Sequence, residues 1–205
     1  MENSIEMKGN SMGAFETGNY RNEFQRIGIS RAEAEKRLEG IFQEFFYGKD
    51  SFYHQVGEDM GYLEDTGNHD ARTEGMSYGM MMCVQMDRQD IFDALWCFSK
   101  RYMLLKDGPN AGYFAWSVQL DGRHNAEGPA PEGEEYFAMA LFLAAERWGT
   151  GRFDYAADAR EILRHCVHQR ELTGGDPMWN PANKLIKFVP GMEISDPSYH
   201  LPHFY

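Results

Sequence analysis

The sequence predicts an all-α fold, a toroid of packed helical hairpins, and three observations lead to it. Two segments, "MSYGMMMCVQM" at 76–86 and "YFAMALFLAA" at 136–145, are apolar nearly all round, as helices enclosed by other helices are. A third stretch, about 89–103, sets Phe92, Leu95, Trp96, Phe98 and Tyr102 on one side and charge on the other, the pattern of an outer-layer helix. Finally, "EGMSY" (Glu74 to Tyr78), "EGEEY" (Glu132 to Tyr136) and "SDPSY" (Ser195 to Tyr199) each place a polar head four residues before a tyrosine. Their spacings, 58 and 63 residues, suit one helical hairpin plus a long loop.

Taken in order along the chain, residues 1–12 are polar and expected to be loose, and the domain proper is expected over 13–205. "SRAE" from Ser30 is a Ser-x-x-Glu capping box, so a helix starts there and runs to about Tyr47. Further helices are expected at about 75–87, 89–103, 134–148 and 154–169. A last one is expected from 197 onward, where Asp196–Pro197 supplies a cap followed by proline in the first turn. No clean alternating run argues for a sheet, although "LIKFVP" at 185–190 offers one short strand.

Successive enclosed helices of such a repeat begin at the same end of the molecule, so Glu74 and Glu132 should face one shared mouth. By Tyr205 the third enclosed helix has run only two turns or so. About half of a toroid is therefore expected in this sequence, with inner helix faces open to water, poor solubility alone, and a need for a complementary C-terminal half.

Composition narrows the function. A formal net charge of −12 over 205 residues argues against nucleic acid, because phosphate binding needs clustered Lys and Arg. A neutral or polar small substrate fits better. Cys83, Cys97 and Cys166 are odd in number, widely spaced and set in apolar helical runs, so they read as small buried hydrophobes in a reduced chain. No run reaches membrane-spanning length and the start lacks a signal-peptide core; the expected compartment is the cytoplasm.

Five motifs in order, "DTGNHDARTEGMSYGMMMCVQMDRQDIFDALW", "GYFAWSVQLDG", "GPAPEGEEYFAMALFLAAERWG", "MWNPANKLIKFVP" and "SDPSYHLPHFY", resemble glycoside hydrolase family 8, and within it the reducing-end xylose-releasing exo-oligoxylanases. The resemblance runs from about residue 13 to the end. It implies an (α/α)6 barrel, of which 13–205 is the N-terminal half, inverting hydrolysis of β-1,4-linked xylo-oligosaccharides, and no metal or other cofactor. It also implies that Glu74 in "RTEGMSYGM" is the general acid. Glu132 in "PAPEGEEY" falls where the family usually has an aspartate that positions the sugar at the cleavage subsite. The family's general base and the loop that makes the oligoxylanases exo-acting belong to the second half.

The residues themselves bear on those roles. Inverting hydrolysis needs a protonated acid at the leaving oxygen and a carboxylate about 6.5–9.5 Å away to activate water. A glutamate among Met and Tyr side chains suits the acid, since desolvation keeps its proton on; the plainer reading of Glu74 is a carboxylate favouring a helix N-terminus. Of the trio Glu132, Glu134 and Glu135, one or two are expected on a solvated first turn, with Glu132 facing the sugar. Gly75 and Gly133 after each glutamate suggest close backbone approach. Sugar rings present apolar C–H faces, so aromatics with polar neighbours are candidate binders: Tyr113 and Trp116 in "GYFAWS", Trp179 and Asn180 in "MWN". Tyr78 and Tyr199 at the helix mouths serve equally as hydroxyl donors or as core, and Trp96 and Trp148 read as core. His200 and His203 lack a third ligand and read as structural. Against the hydrolase stands a noncatalytic or incomplete module, with an acid and no identifiable base; within the enzyme class, endoglucanase, chitosanase and xylanase activities stay open.

Overall fold

The computed structural model describes residues 22–205 as two compact units that divide after Gly48; the expected loose segment 1–12 lies outside the described residues. The first unit holds a one-turn helix α1 (Glu23–Arg26) and α2 (Arg31–Tyr47). The capping box is in place: the Glu33 amide donates to Ser30 Oγ at 3.3 Å, and the Ser30 amide donates to Glu33 Oε2 at 3.0 Å. Two orphan N–H groups are thereby satisfied at once.

The second unit, 49–205, is built on α3 (Thr73–Gln85), α4 (Gln89–Phe98), α5 (Pro131–Trp148) and α6 (Tyr155–Thr173). Helix α5 packs against both α3 and α6, and α4 packs on α3. Proline at the first position of α5 costs no hydrogen bond there, and Gly174 closes α6 in the left-handed conformation that glycine tolerates. Trp96, Phe114 and Phe137 form the centre of the core, with ring centroids 5.6, 5.4 and 5.2 Å apart pairwise. Each contributes on the order of 1.5–3 kcal/mol by burial.

Helices α3 and α5 meet closely at their starts. A methyl group on Gly133 would lie 2.4 Å from Thr73 Oγ1, so only glycine lets the two first turns approach this far. Both helices are enclosed on most sides, but Met81, Met82, Met139, Phe142 and Leu143 remain half-buried.

Several expectations need correction. Among the described residues there are four short strands: β1 (Tyr53–Val56) and β2 (Met60–Leu63) make an antiparallel hairpin, and β3 (Asp70–Arg72) pairs with β4 (Ser117–Gln119). Strands of three or four residues are too short to display an alternating pattern. Helix α4 stops at Phe98 and passes into a π-helical turn, Ser99–Met103. It is also buried on more than one side, through Ile91, Ala94 and Leu95 as well as Phe92, Trp96 and Phe98, and β2 packs on it, with Tyr62 5.4 Å from the Phe98 ring. In place of a helix from 197 onward there is a single 3-10 turn, Pro197–Tyr199, capped by Asp196. "LIKFVP" contributes only the isolated bridge between Trp179 and Ile186.

Candidate active site

Strand β3 delivers the chain directly into α3, so Arg72, Thr73 and Glu74 stand at the rim where helix and sheet meet. Thr73 donates its amide to the Trp116 carbonyl at 3.0 Å. That bond ties the start of α3 to the segment that leads into β4. Glu74 itself is exposed. Its Oε1 accepts a hydrogen bond from the Tyr78 hydroxyl at 3.3 Å, one helical turn on. The desolvation expected from neighbouring Met side chains is therefore not supplied by the described residues, because Met76 and Met80 point into the core with no exposure. A methyl on Gly75 would meet nothing within 4 Å, so the backbone there faces open space; close approach belongs to Gly133 alone of the two.

Glu132 stands in the first turn of α5, across from Glu74. Burial pushes its carboxyl up to about 7, with the nearby charges of Glu74 and Asp196 adding to the rise. Tyr78 is pushed up to about 12 by burial first, and then by Glu74, Tyr136 and Glu132. Tyr199 is raised by burial, then by Glu132, Asp196 and Glu74. The Tyr78–Glu74 bond and the Thr73–Gly133 contact bring Glu74, Tyr78 and Glu132 to the joint mouth of α3 and α5, with Tyr199 and Asp196 near enough to act electrostatically on Glu132 and on each other. Tyr78 also meets the Tyr136 ring edge-on at 4.7 Å.

The other two glutamates of the trio face inward, against the expectation of a solvated turn. Glu135 accepts from the Tyr205 hydroxyl at 2.7 Å, and burial raises it to about 7. Glu134 is fully buried; its Oε1 accepts the Phe114 amide at 2.9 Å and burial raises it well above the carboxylate range. One oxygen of each of the three carboxyls is buried without a protein partner. Neutral, protonated acids are what such surroundings sustain.

The aromatic candidates divide. Trp116 is 39% exposed, and the Arg72 guanidinium lies 5.3 Å from its ring centroid, held in turn by Asp70 at 3.0 Å. This leaves a stiff, water-facing platform next to Glu74. A pocket of about 320 Å³ opens beside Glu74, bounded by Phe52, Asp65, Arg72, Gly75 and Tyr78 among others. Trp179 is half-buried and 6.3 Å from the ring of Tyr205, whose hydroxyl reaches Glu135, one turn of α5 beyond Glu132. Tyr113 is a correction: it is fully buried and its hydroxyl donates to the carbonyls of His165 and Asp176 at 3.2 and 3.0 Å, so it is core. Asn180 is another, since its side chain is spent on its own loop through Ala182 and Glu193. Trp96 is core as expected, and its indole nitrogen donates to Asp158. Trp148 is half-buried, donating to Asp87 at 2.7 Å. His200 sits 2.8 Å from Ser195 Oγ, which itself donates to the Ile186 carbonyl, so the ring braces a loop. Sequence reasoning missed Arg72, Asp196 and Tyr205. Only Asp196 had a signal, the "DP" pair, and it was read for its cap alone.

Among the described residues, no three His, Cys, Asp or Glu side chains group so as to hold a metal ion, and no helix is long and apolar enough to cross a membrane.

Residues 49–205 match the family described as glycosyl hydrolases family 8. The chain is 55% identical over 204 residues to a reducing end xylose-releasing exo-oligoxylanase of Halalkalibacterium halodurans, covering 97% of this chain and 53% of that protein. It is 56% identical over 184 residues to the enzyme of the same name from Bifidobacterium adolescentis, covering 89% and 48%. A solved structure of the Paenibacillus barcinonensis relative complexed with xylose superposes with a TM-score of 0.89 at 54% identity, over 94% of this chain and 52% of that one. The chain thus spans about half the length of the curated relatives it matches. The shared fold is the (α/α)6 barrel, and the helices described above correspond to about half of it.

Proposed function

We propose, since this chain belongs to glycosyl hydrolase family 8, that it supplies the acid-bearing half of an inverting hydrolase of β-1,4-linked xylo-oligosaccharides that releases xylose from the reducing end. The observation that carries this reading is the meeting of Glu74 and Glu132 at the packed starts of α3 and α5, through Thr73 and Gly133. In this reading Glu74 protonates the glycosidic oxygen. Its exposure is consistent with an acid that becomes desolvated when a sugar covers it. Glu132, neutral to about pH 7, donates a hydrogen bond to the sugar spanning the cleavage point, and Tyr78 and Tyr199 offer hydroxyls beside it. Trp116 takes the C–H face of one sugar ring; Trp179, beyond Glu135 and Tyr205, is placed to meet another.

The water-activating carboxylate is assigned to sequence that the relatives carry beyond the matched span, and the partner of this half is the complementary C-terminal half of the barrel. Three free cysteines fit a reducing compartment, which supports a cytoplasmic reaction. The preference for xylose over glucose rests on the high identity to the exo-oligoxylanases.

The test is proton NMR of xylotriose hydrolysis by residues 1–205, alone and combined with a polypeptide supplying the remaining half. Initial release of xylose and α-xylobiose by the combination supports the reading. Initial release of β-xylobiose, or cleavage of cello-oligosaccharides and not xylotriose, overturns it.

A further inference from the structure

We propose that Glu134, two residues beyond Glu132, is a positioning residue that fixes the first turn of α3, and with it Glu74, against the first turn of α5. The proposal rests on the reading of Glu74 as acid. The contacts form a closed circuit. Glu134 Oε1 accepts the Phe114 amide at 2.9 Å. Two residues on, the Trp116 carbonyl accepts the Thr73 amide at 3.0 Å. Thr73 in turn packs on Gly133, the neighbour of Glu134, so closely that a methyl there would overlap it. The segment in the middle is held from its other side as well, since Ala115 donates to the Met103 carbonyl at 2.7 Å and Ser117 Oγ donates to Asp70 Oδ2 at 2.6 Å.

A carboxyl with no exposure is an expensive group to keep in a core. An aliphatic side chain would fill the same space without that penalty, but it would leave the Phe114 amide unbonded. What Glu134 offers is reach: an acceptor carried two methylenes out from a helix start to an amide in a neighbouring segment. Breaking that edge removes the polar tie between 114–116 and α5, leaving the Phe114–Phe137 ring contact, and it loosens the Thr73 amide because its acceptor lies in that segment. The orientation of Glu74 then depends on the Thr73–Gly133 contact and on the pairing of β3 with β4. The role of Glu134 is to accept the Phe114 amide, and burial favours the neutral form of its carboxyl, so glutamine, with its carbonyl in the same place, should do the work, and negative charge should not be needed.

The experiment uses this chain joined to a complementary C-terminal half, with Glu134→Gln, Glu134→Leu and Glu134→Asp. Three readouts are taken: kcat/KM on xylotriose, kcat/KM on 2,4-dinitrophenyl xylobioside, whose leaving group needs no protonation, and hydrogen exchange at the Thr73 and Phe114 amides. Glu134→Gln should stay within about threefold of the parent on both substrates, whereas Glu134→Leu should lose about 100-fold on xylotriose and under about tenfold on the activated substrate. Exchange at both amides should rise about tenfold or more in Glu134→Leu and recover in Glu134→Gln. Glu134→Asp, which keeps the carboxyl but falls short of Phe114, should resemble Glu134→Leu and decides the matter if the leucine variant does not fold. Equal losses on the two substrates, parental turnover in both shortened and apolar variants, or a glutamine variant as damaged as the leucine one would overturn the proposal. If the parent cleaves neither substrate, the functional reading falls, and amide exchange still decides the positioning role.

Discussion

Gly133→Ala is the substitution whose consequence can be worked most directly. The added methyl would lie 2.4 Å from Thr73 Oγ1 and 2.5 Å from Thr73 Cβ, whereas nonbonded carbon contacts settle at about 3.5–4.0 Å. A rotamer change can move Oγ1 away. It cannot move Cβ, which is fixed to the backbone. The starts of α3 and α5 must therefore part by about 1 Å. Overpacking of this kind costs about 1–3 kcal/mol, which for a chain of this size lowers the melting midpoint by about 2–12 °C. Because Glu74 and Glu132 follow and precede the two colliding residues, the same shift misplaces them relative to one another, and a displacement near 1 Å is worth about 100-fold in turnover. Thermal unfolding and xylotriose hydrolysis measure the two effects separately. Thr73→Ser in the Gly133→Ala background should not restore either, since Cβ remains; Thr73→Gly should restore part of both. A Gly133→Ala protein with parental melting and turnover would refute the claim that these helix starts are in contact.

Glu132→Ala should lower xylotriose turnover by about 100-fold or more, while Glu132→Asp should keep substantial activity, because the shorter acid still presents the same group; a silent alanine variant would return Glu132 to a helix-start role. Trp116→Ala should raise KM about three- to tenfold with a smaller change in kcat, as loss of one stacking face does, measured by initial rates across xylotriose concentration. Stability should depend on pH in a particular direction. Glu132 and Glu135 hold their protons up to about 7 in the folded chain, above an ordinary carboxylate value of 4.5. Their contribution is thus complete below about pH 4.5 and is lost as pH rises to about 7, an upper bound on the order of 3 kcal/mol for each. The melting midpoint should fall between pH 5 and pH 8, and the double variant Glu132→Gln, Glu135→Gln should flatten that fall; an unchanged slope in the double variant would show that other groups set it.

What the sequence disclosed follows from how local each signal is. Ser30 and Glu33 announce a helix start within four residues, and the structure puts the capping box there. Glu74 and Glu132 head long apolar runs, so their placement at neighbouring helix mouths was legible from the repeat. The third member, "SDPSY", has a polar heading too, and it makes only a 3-10 turn. Tyr113 and Trp116 sit three residues apart in one motif and look alike as sugar binders. Their fates differ because the Tyr113 hydroxyl finds two carbonyls brought in from 52 and 63 residues away, which no local pattern carries. Glu134 and Glu135 read as solvated charge for the same reason: the Phe114 amide and the Tyr205 hydroxyl that receive them come from distant segments. The hairpin of β1 and β2 was missed because "YHQV" and "MGYL" are four residues each and do not alternate apolar with polar side chains, although burial alternates along β2.

The most direct test of the central claim, that Glu74 delivers the proton to the leaving sugar, is the ratio of kcat/KM for xylotriose and for 2,4-dinitrophenyl xylobioside in Glu74→Ala, in a protein that carries this chain and turns over both. The account predicts a loss of about 10²–10⁴-fold or more on xylotriose with the activated substrate nearly spared. Equal losses on both substrates, or near-parental hydrolysis of xylotriose, would contradict it.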